Sequence, residues 1–367
     1  MSRIASVELL SLRITPKTIW SFLRVTDDEG RAGLGEATLS GREPELASAL
    51  SVRPLVGMPA IPVPVDAPVA GGGLPEAAIA SALDQALWDL AGQRAGKPLW
   101  RVLGGDERRI PLYANINRRT VDRRPRGFAA SAHHAAARGA TRFKVAPFDD
   151  LTPSIADGDD GRRLIDAGIA RIAATREAAG PAARIMVDCH WRFTEAAAAR
   201  VLDRLAELGV TWFECPIPET EETIPALRRL RRLANDHSMQ LAGLEMSPSP
   251  DALLPFLAAG CYDVVMPDIK YVGGFSGMIA AGRLCASHGA GCAPHNPSGP
   301  ICHAASLHAA AVLAGFDLLE HQYDESPLFD RLVANRLPDH GGDASDLLTG
   351  AGLGVSLDPT LIAELRA

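Results

Sequence analysis

The stretch RIMVDCHWRFTEAAAARVLDRLAELGVTWFECP (184–216) contains the pattern that decides the fold. A short apolar run, RIMVDCH, leads into a segment whose apolar residues recur every three or four positions, which is typical of an amphipathic helix. A second apolar run, VTWFECP, follows it. Strand, helix and strand in this order indicate two parallel strands joined by a crossover helix.

The same alternation continues on both sides of this unit. The strand-like runs are IPLYANI (110–116), TRFKVA (141–146), RIMVDCH (184–190), VTWFECP (210–216), QLAGLE (240–245), YDVVMPD (262–268), AGCAPH (290–295) and FDLLEH (316–321). Eight such runs with helices between most of them predict a parallel β/α barrel. In that fold the catalytic groups lie at the C-terminal ends of the strands.

The rest of the chain follows other patterns. Residues 3–36 read as three short strands with a DDEG turn, and the residues from Glu43 to Gly96 are helical in pattern. A chain of 367 residues also exceeds one ordinary domain of about 100–200 residues. We therefore predict an α/β protein with an α+β N-terminal capping domain, a barrel, and a C-terminal segment that returns to the cap. Their predicted bounds are 1–109, 110–326 and 327–367.

Composition argues against several classes of protein. The formal net charge is −7 and there is no dense basic run, so nucleic acid is not an expected partner. We find neither a signal-peptide core nor an uncharged apolar stretch of membrane-spanning length, so we expect a soluble, cytoplasmic protein. The six cysteines form no C-x-x-C pair and no zinc-like spacing, and we interpret them as buried free thiols.

Polar residues at the predicted strand ends are the candidate site residues. They are Lys144, Asp188 with His190, Glu214, Glu245, Asp268, His295 and Glu320. The carboxylates Asp188, Glu214 and Glu245 end three successive strands and would repel one another unless a cation lay between them. Oxygen-only ligands favour Mg²⁺. The alternative is that each acid only caps a following helix.

Five motifs in order resemble the enolase superfamily, and within it the mandelate racemase subgroup. They are MVDCH (186–190), WFECPIP (212–218), LAGLE (241–245), VVMPDIKYVGG (264–274) and APHNPSGP (293–300). The resemblance covers nearly the whole chain, up to the closing GLGVSLDP (352–359). It implies a modified TIM-like barrel of the (β/α)7β type and a homo-oligomer, as a dimer or octamer.

The resemblance also implies roles for these residues. Asp188, Glu214 and Glu245 become Mg²⁺ ligands, and His295 becomes a general base oriented by Asp268. A neighbouring carboxylate is expected to raise the pKa of an imidazole toward the working range. The alternative for a lone strand-end histidine is a hydrogen bond to a loop carbonyl.

His190 narrows the prediction within the superfamily. It lies two positions after Asp188, so in extended geometry both side chains would point to the same side of the strand. The chain is similar to galactonate and mannonate dehydratases, in which an Asp-x-His places a histidine to protonate the departing β-hydroxyl. Alternatively, His190 pairs with a neighbouring loop acid.

The second barrel strand departs from the racemase pattern. Many relatives carry Lys-x-Lys there, whereas this chain reads Lys144-Val145-Ala146, so the usual second base is missing unless Lys270 or His190 replaces it. Lys144 is then either a cation near the substrate carboxylate or the metal, or a solvated lysine. We interpret Lys270 as a loop cation, or as a residue that contacts the metal ligands or catalytic groups without binding the metal itself.

The remaining candidates are contacts to substrate. The resemblance suggests that Glu320 interacts with the substrate carboxylate. The capping domain would contribute residues 18–22 and 55–61, with Trp20 either a pocket wall or a core residue. Arg192 either clamps a substrate hydroxyl or carboxylate, or forms a salt bridge within its loop.

The leading hypothesis is a Mg²⁺-dependent dehydratase of a sugar acid, which removes the α-proton, passes through an enediolate and loses the β-hydroxyl to give a 2-keto-3-deoxy acid. The second hypothesis is a racemase or epimerase, or a cycloisomerase, acting through the same enediolate. The third is a non-catalytic descendant that keeps the fold for binding or regulation.

Overall fold

Eight parallel strands form a central barrel in the computed structural model, which describes residues 2–62 and 73–366. The strands before the barrel are β1 (Ile4–Arg13), β2 (Ile19–Asp27) and β3 (Ala32–Glu36). The barrel strands are β4 (Ile110–Asn115), β5 (Arg142–Val145), β6 (Arg184–Asp188), β7 (Val210–Glu214), β8 (Gln240–Gly243), β9 (Val264–Val265), β10 (Gly291–Cys292) and β11 (Leu319–Gln322). A short strand, β12 (Ala344–Ser345), follows them.

Helices surround the barrel and cover one face of the capping sheet. They are α1 (Glu43–Ser51), α2 (Leu74–Ala95), α3 (Leu99–Val102), α4 (Pro125–Ala137), α5 (Asp159–Ala179), α6 (Glu195–Glu207), α7 (Ile224–Asp236), α8 (Leu254–Ala258), α9 (Gly274–Ser287), α10 (Pro300–Ala310), α11 (Leu328–Arg331) and α12 (Pro359–Leu365). Among the described residues, no helix is both long and apolar enough to cross a membrane.

The barrel strands pair in the order β11, β4, β5, β6, β7, β8, β9, β10. Between β10 and β11 the ring closes through a parallel bridge between Cys292 and Phe316. A helix follows each of the first seven strands, whereas β11 is followed by the single turn of α11. The predicted barrel of (β/α)7β type with an N-terminal α+β unit is therefore confirmed.

Side chains alternate between the inside and the outside of the barrel along each strand. The inward side chains form an apolar layer below the polar rim. Met186 and Trp212 are fully buried in an interior cluster with Val264 and Leu318. Successive inward residues of a strand are two positions apart, so the next inward residues after Met186 and Trp212 are Asp188 and Glu214. The apolar layer thus forms the floor beneath the acidic residues.

The capping unit consists of the antiparallel sheet β1–β2–β3 with α2 packed against β3. It is fixed to the barrel by Glu36, whose carboxylate accepts hydrogen bonds from the backbone N–H of Gly299 and Cys302, each at 2.8 Å, at the start of α10. The C-terminal segment contacts both parts, because β12 pairs with β4 and Arg366 bridges to Leu12 of β1.

Gly35 permits the close contact between β3 and α2. A Cβ at this position would lie 2.0 Å from the carbonyl oxygen of Ala82, which is backbone and cannot rotate away. We expect Gly35→Ala to destabilise the protein by about 1–3 kcal/mol or more, because the helix must move off the sheet. Urea unfolding of the variant measures this, with Gly291→Ala as a control, where the nearest atom to the added Cβ is 3.6 Å away. Equal destabilisation by both variants would contradict this account.

Candidate active site

Carboxylates converge at the C-terminal rim of the barrel, as the sequence pattern predicted. Asp188 and Glu214 are the last residues of β6 and β7 and are paired in register, while Glu245 lies two residues after β8. All three are buried. Burial raises the pKa of Glu214 to about 7 and raises that of Glu245 well above its usual value. The cost of burying these charges indicates that a cation is needed nearby.

The donor set at this rim fits a divalent metal ion. Ligand atoms of Glu214, Cys215 and Glu245 lie within 4.8 Å of one another. The Glu245 Oε2 atom is buried and has no hydrogen-bond partner among the described residues, so it can accept a metal ion. Burial raises the pKa of the Cys215 thiol well above its usual value, and a hard cation prefers oxygen, so this thiol is a poor ligand for such an ion. Asp188, the third ligand expected from the sequence, does not belong to this group.

Lys144 occupies the centre of this acidic cluster. Its Nζ lies 2.6 Å from Glu214 Oε1, 3.0 Å from Glu320 Oε1 and 3.8 Å from Asp188 Oδ2. The side chain is 1% exposed, so the alternative of a solvated lysine is wrong. Burial lowers the pKa of Lys144, but the surrounding carboxylates outweigh burial and hold it well above its usual value.

His295 and Asp268 form a hydrogen-bonded pair. His295 Nδ1 lies 2.8 Å from Asp268 Oδ2, which leaves Nε2 free on the side of the acidic cluster, 3.4 Å from Glu245 Oε2. Burial lowers the pKa of His295 and outweighs Asp268 and Glu320, which raise it. Asp268 raises the pKa of this imidazole as expected, but burial has the larger effect because the ring is almost fully removed from water.

Lys270 binds the same carboxylate as His295. Its backbone N–H donates to Asp268 Oδ1 at 2.8 Å, and its buried ammonium group pairs with Asp268 Oδ2. Burial raises the pKa of Asp268, but Lys270 and His295 outweigh it and keep the pKa below its usual value. Asp268 thus remains a carboxylate that can orient the imidazole.

His190 reaches the acidic cluster from the end of β6, the strand that ends in Asp188. Its Nε2 lies 2.8 Å from Asp188 Oδ2, and the side chain is 42% exposed. The backbone is not extended here, since φ of His190 is 47°, so a turn rather than strand alternation brings the ring back over Asp188. The acid that pairs with His190 is therefore Asp188, and the negative charge of Asp188 raises the pKa of His190.

Glu320 is held more tightly than a free substrate contact would be. Its Oε1 accepts a hydrogen bond from Asn115 Nδ2 at 2.6 Å, and its Oε2 accepts one from the backbone N–H of Asn296 at 3.0 Å. Lys144 supplies a third contact. Asn115 was missed in the sequence, although it is the last residue of a barrel strand, β4.

The turns that present the acids adopt an uncommon backbone conformation. His190, Trp191, Cys215 and Leu244 have φ between 44° and 71°, in the left-handed region. Non-glycine residues there cost on the order of 1–3 kcal/mol each, and such strain collects at functional sites. Each of the four lies within three residues of Asp188, Glu214 or Glu245.

Three of the candidate substrate contacts bind or pack against other residues of the protein. Trp20 is fully buried against Phe329, so it is a core residue and not a pocket wall. Arg192 donates from Nη1 to the carbonyl of Leu151 at 3.0 Å. In the capping segment, Thr18 donates from Oγ1 to Glu325 at 2.5 Å, which ties this loop to the residues after β11.

Two family descriptions match the chain. Residues 127–361 match the enolase C-terminal domain-like family, and residues 9–104 match the N-terminal domain of the mandelate racemase / muconate lactonizing enzyme family. A D-galactonate dehydratase of Verminephrobacter eiseniae is 30% identical over 375 residues, covering 97% of this chain and 93% of that protein. A D-gluconate dehydratase of Thermoproteus tenax is 31% identical over 288 residues, covering 78% of this chain and 56% of that protein's length.

Solved structures agree on the fold. A mandelate racemase/muconate lactonizing enzyme from Jannaschia sp. CCS1 superposes with a TM-score of 0.86 at 24% identity, covering 100% of this chain and 98% of that one. The enzyme from Sulfitobacter sp. gives 0.85 at 23% identity, with 100% and 96% covered. Together with the two family matches, these findings confirm the resemblance: the chain belongs to the mandelate racemase / muconate lactonizing enzyme family of the enolase superfamily.

Proposed function

We propose that this protein is a Mg²⁺-dependent dehydratase of a sugar acid. One observation carries the proposal: two histidines from separate strand ends reach the same carboxylate cluster. His295 approaches Glu245 and Asp268, and His190 contacts Asp188. An elimination requires one group to take a proton and another to give one, and this arrangement provides both. The relatives named as galactonate and gluconate dehydratases support the same reaction class.

The proposed reaction has two proton transfers. His295 Nε2 removes the proton on the carbon next to the substrate carboxylate, while Asp268 holds the opposite ring nitrogen. Mg²⁺ held by Asp188, Glu214 and Glu245 would neutralise the charge that develops on the substrate carboxylate. His190 gives its proton to the β-hydroxyl, which leaves as water. The resulting enol tautomerises to the 2-keto-3-deoxy acid.

The lysines argue against racemisation through two opposed bases. Position 146 is alanine, Lys144 is surrounded by Glu214, Glu320 and Asp188, and Lys270 is paired with Asp268 on the same side as His295. A racemase needs a second base on the opposite face of the substrate. Within the described part of the site, His190 is the group best placed to act there, and elimination uses it as an acid.

His190→Asn separates the two halves of the reaction. We expect it to reduce keto product by roughly 10²–10⁴-fold, because hydroxide leaves poorly without a proton donor, while α-proton exchange with solvent continues. A semicarbazide assay over a library of sugar mono- and diacids with Mg²⁺ measures product, and deuterium incorporation measures exchange. His288→Asn, an exposed histidine, is the matched control.

The same screen can contradict the proposal. If the parent protein forms no keto product but incorporates deuterium at the α-carbon of one substrate in a His295-dependent way, the protein is an isomerase. If it binds Mg²⁺ but neither exchanges nor converts any acid in the library, the non-catalytic hypothesis replaces it.

A further inference from the structure

We propose that Glu219 is a positioning residue that holds together the strand-end turns carrying the carboxylates and His190. It lies in the loop after β7, five residues beyond Glu214, and neither the sequence pattern nor the reaction accounts for it. The inference rests on the proposed function only for the part played by His190. The part that concerns the carboxylates depends on the site geometry alone.

The Glu219 carboxylate accepts hydrogen bonds from three separate segments. Oε1 accepts from the backbone N–H of Leu244 and from the Tyr262 hydroxyl, both at 2.7 Å. Oε2 accepts from Trp191 Nε1 at 2.9 Å. The Cys215 thiol lies 4.0 Å from Oε1. One carboxylate therefore joins the loops after β6, β7 and β8 with the residue Tyr262 just before β9.

Two of these hydrogen-bond donors are adjacent to a site residue. Trp191 follows His190, and Leu244 precedes Glu245. Because Trp191 and Leu244 both have positive φ, their turns need an external restraint to keep this conformation. The Glu219 contacts supply that restraint directly to the turn that orients His190 and to the turn that orients Glu245.

Backbone hydrogen bonds extend the same connection to the middle turn. The N–H of Trp191 donates to the carbonyl of Cys215 at 2.6 Å, and the N–H of Cys215 donates to the carbonyl of Ala242 at 3.0 Å. The three turns therefore form one hydrogen-bonded unit, and Glu219 bonds to both of its outer members.

Gly243 leaves the space that this carboxylate occupies. A Cβ at position 243 would lie 2.2 Å from Glu219 Oε1 and 2.8 Å from a ring carbon of Tyr262. Any other residue would therefore displace the carboxylate without removing it. Gly243→Ala thus tests the position of the Glu219 carboxylate independently of its charge.

The test compares Glu219→Gln with Glu221→Gln, an exposed glutamate two residues further on. The amide keeps the size of the side chain but replaces one acceptor oxygen with a donor that opposes an N–H or O–H donor. We expect Glu219→Gln to weaken Mg²⁺ binding by about 10-fold or more, as for other groups that orient metal ligands. Titration calorimetry without substrate measures this, and Gly243→Ala should change it in the same direction.

Trp191→Phe tests the turn that carries His190 independently of the other turns that Glu219 contacts. It removes one hydrogen bond to Glu219 and leaves those of Leu244 and Tyr262 intact. We expect Mg²⁺ affinity to stay within about twofold of the parent value, while kcat for dehydration falls more than KM rises. A merely structural role for Glu219 would change thermal stability without this split between metal affinity and kcat.

Three results decide the proposal. If Glu219→Gln and Gly243→Ala have the circular dichroism spectrum of the parent and bind Mg²⁺ within about twofold of it, the proposal is overturned. If either variant does not fold, Tyr262→Phe, which removes one donor, must weaken Mg²⁺ binding, or the proposal is again overturned. Weakened Mg²⁺ binding in a protein that dehydrates no sugar acid supports the positioning role and contradicts only the proposed function.

Discussion

His295→Asn is expected to abolish both formation of keto product and exchange of the substrate α-proton, with losses of roughly 10²–10⁴-fold. Asparagine can still donate a hydrogen bond to Asp268, but it cannot accept a proton at the position of Nε2. Since proton removal is the first step of both elimination and isomerisation, the two readouts should fall together. This distinguishes His295→Asn from His190→Asn, which should stop only the elimination.

Deuterium incorporation at the α-carbon, followed by mass spectrometry, measures the first step directly. His288→Asn should leave exchange and product formation unchanged, because its ring lies on the exposed end of α9. Exchange by His295→Asn at the parent rate would show that another group removes the proton. Lys270 would then be the first residue to replace, because its ammonium group already contacts Asp268.

The barrel and the acidic rim could be predicted from sequence because both follow from strand alternation. Each of the eight apolar runs overlaps a strand, and the candidate polar residues near their ends lie at one rim because parallel strands end on the same side. Asp188 and Glu214 are in register in the structure for this reason. The family motifs lie at these same strand ends, so the residues that predicted the fold also predicted the family.

The turns beyond the strand ends could not be predicted in the same way. Period-two alternation stops where φ becomes positive at His190 and Cys215, so spacing alone gives no direction for the residues that follow. The pKa of His295 also depends on how fully the surrounding residues bury it, which no local pattern encodes. Glu219 could not be identified from the sequence for a related reason, since its hydrogen-bond partners come from three other segments of the chain.

Lys144→Met should destabilise the metal-free protein by about 3–5 kcal/mol, because removing one partner of a buried ion pair leaves the other charges uncompensated. Lys144 is the cation closest to Glu214 and Glu320 in the described site, and both carboxylates are fully buried. Methionine keeps most of the length of the side chain and its packing near the Tyr113 ring. Urea unfolding in EDTA measures the loss, with the exposed Lys97→Met as a control.

Mg²⁺ should restore much of the stability that Lys144→Met loses. This result would distinguish a loss of charge compensation from a loss of packing. A cation among Asp188, Glu214 and Glu245 reduces the same repulsion that Lys144 reduces, so saturating Mg²⁺ should shift the unfolding midpoint of Lys144→Met further than that of the parent. Ca²⁺ should give a smaller shift if the site favours a small octahedral ion. An equal Mg²⁺ shift in the two proteins would mean that Lys144 stabilises by packing alone. The carboxylates would then need another source of compensation in the metal-free state.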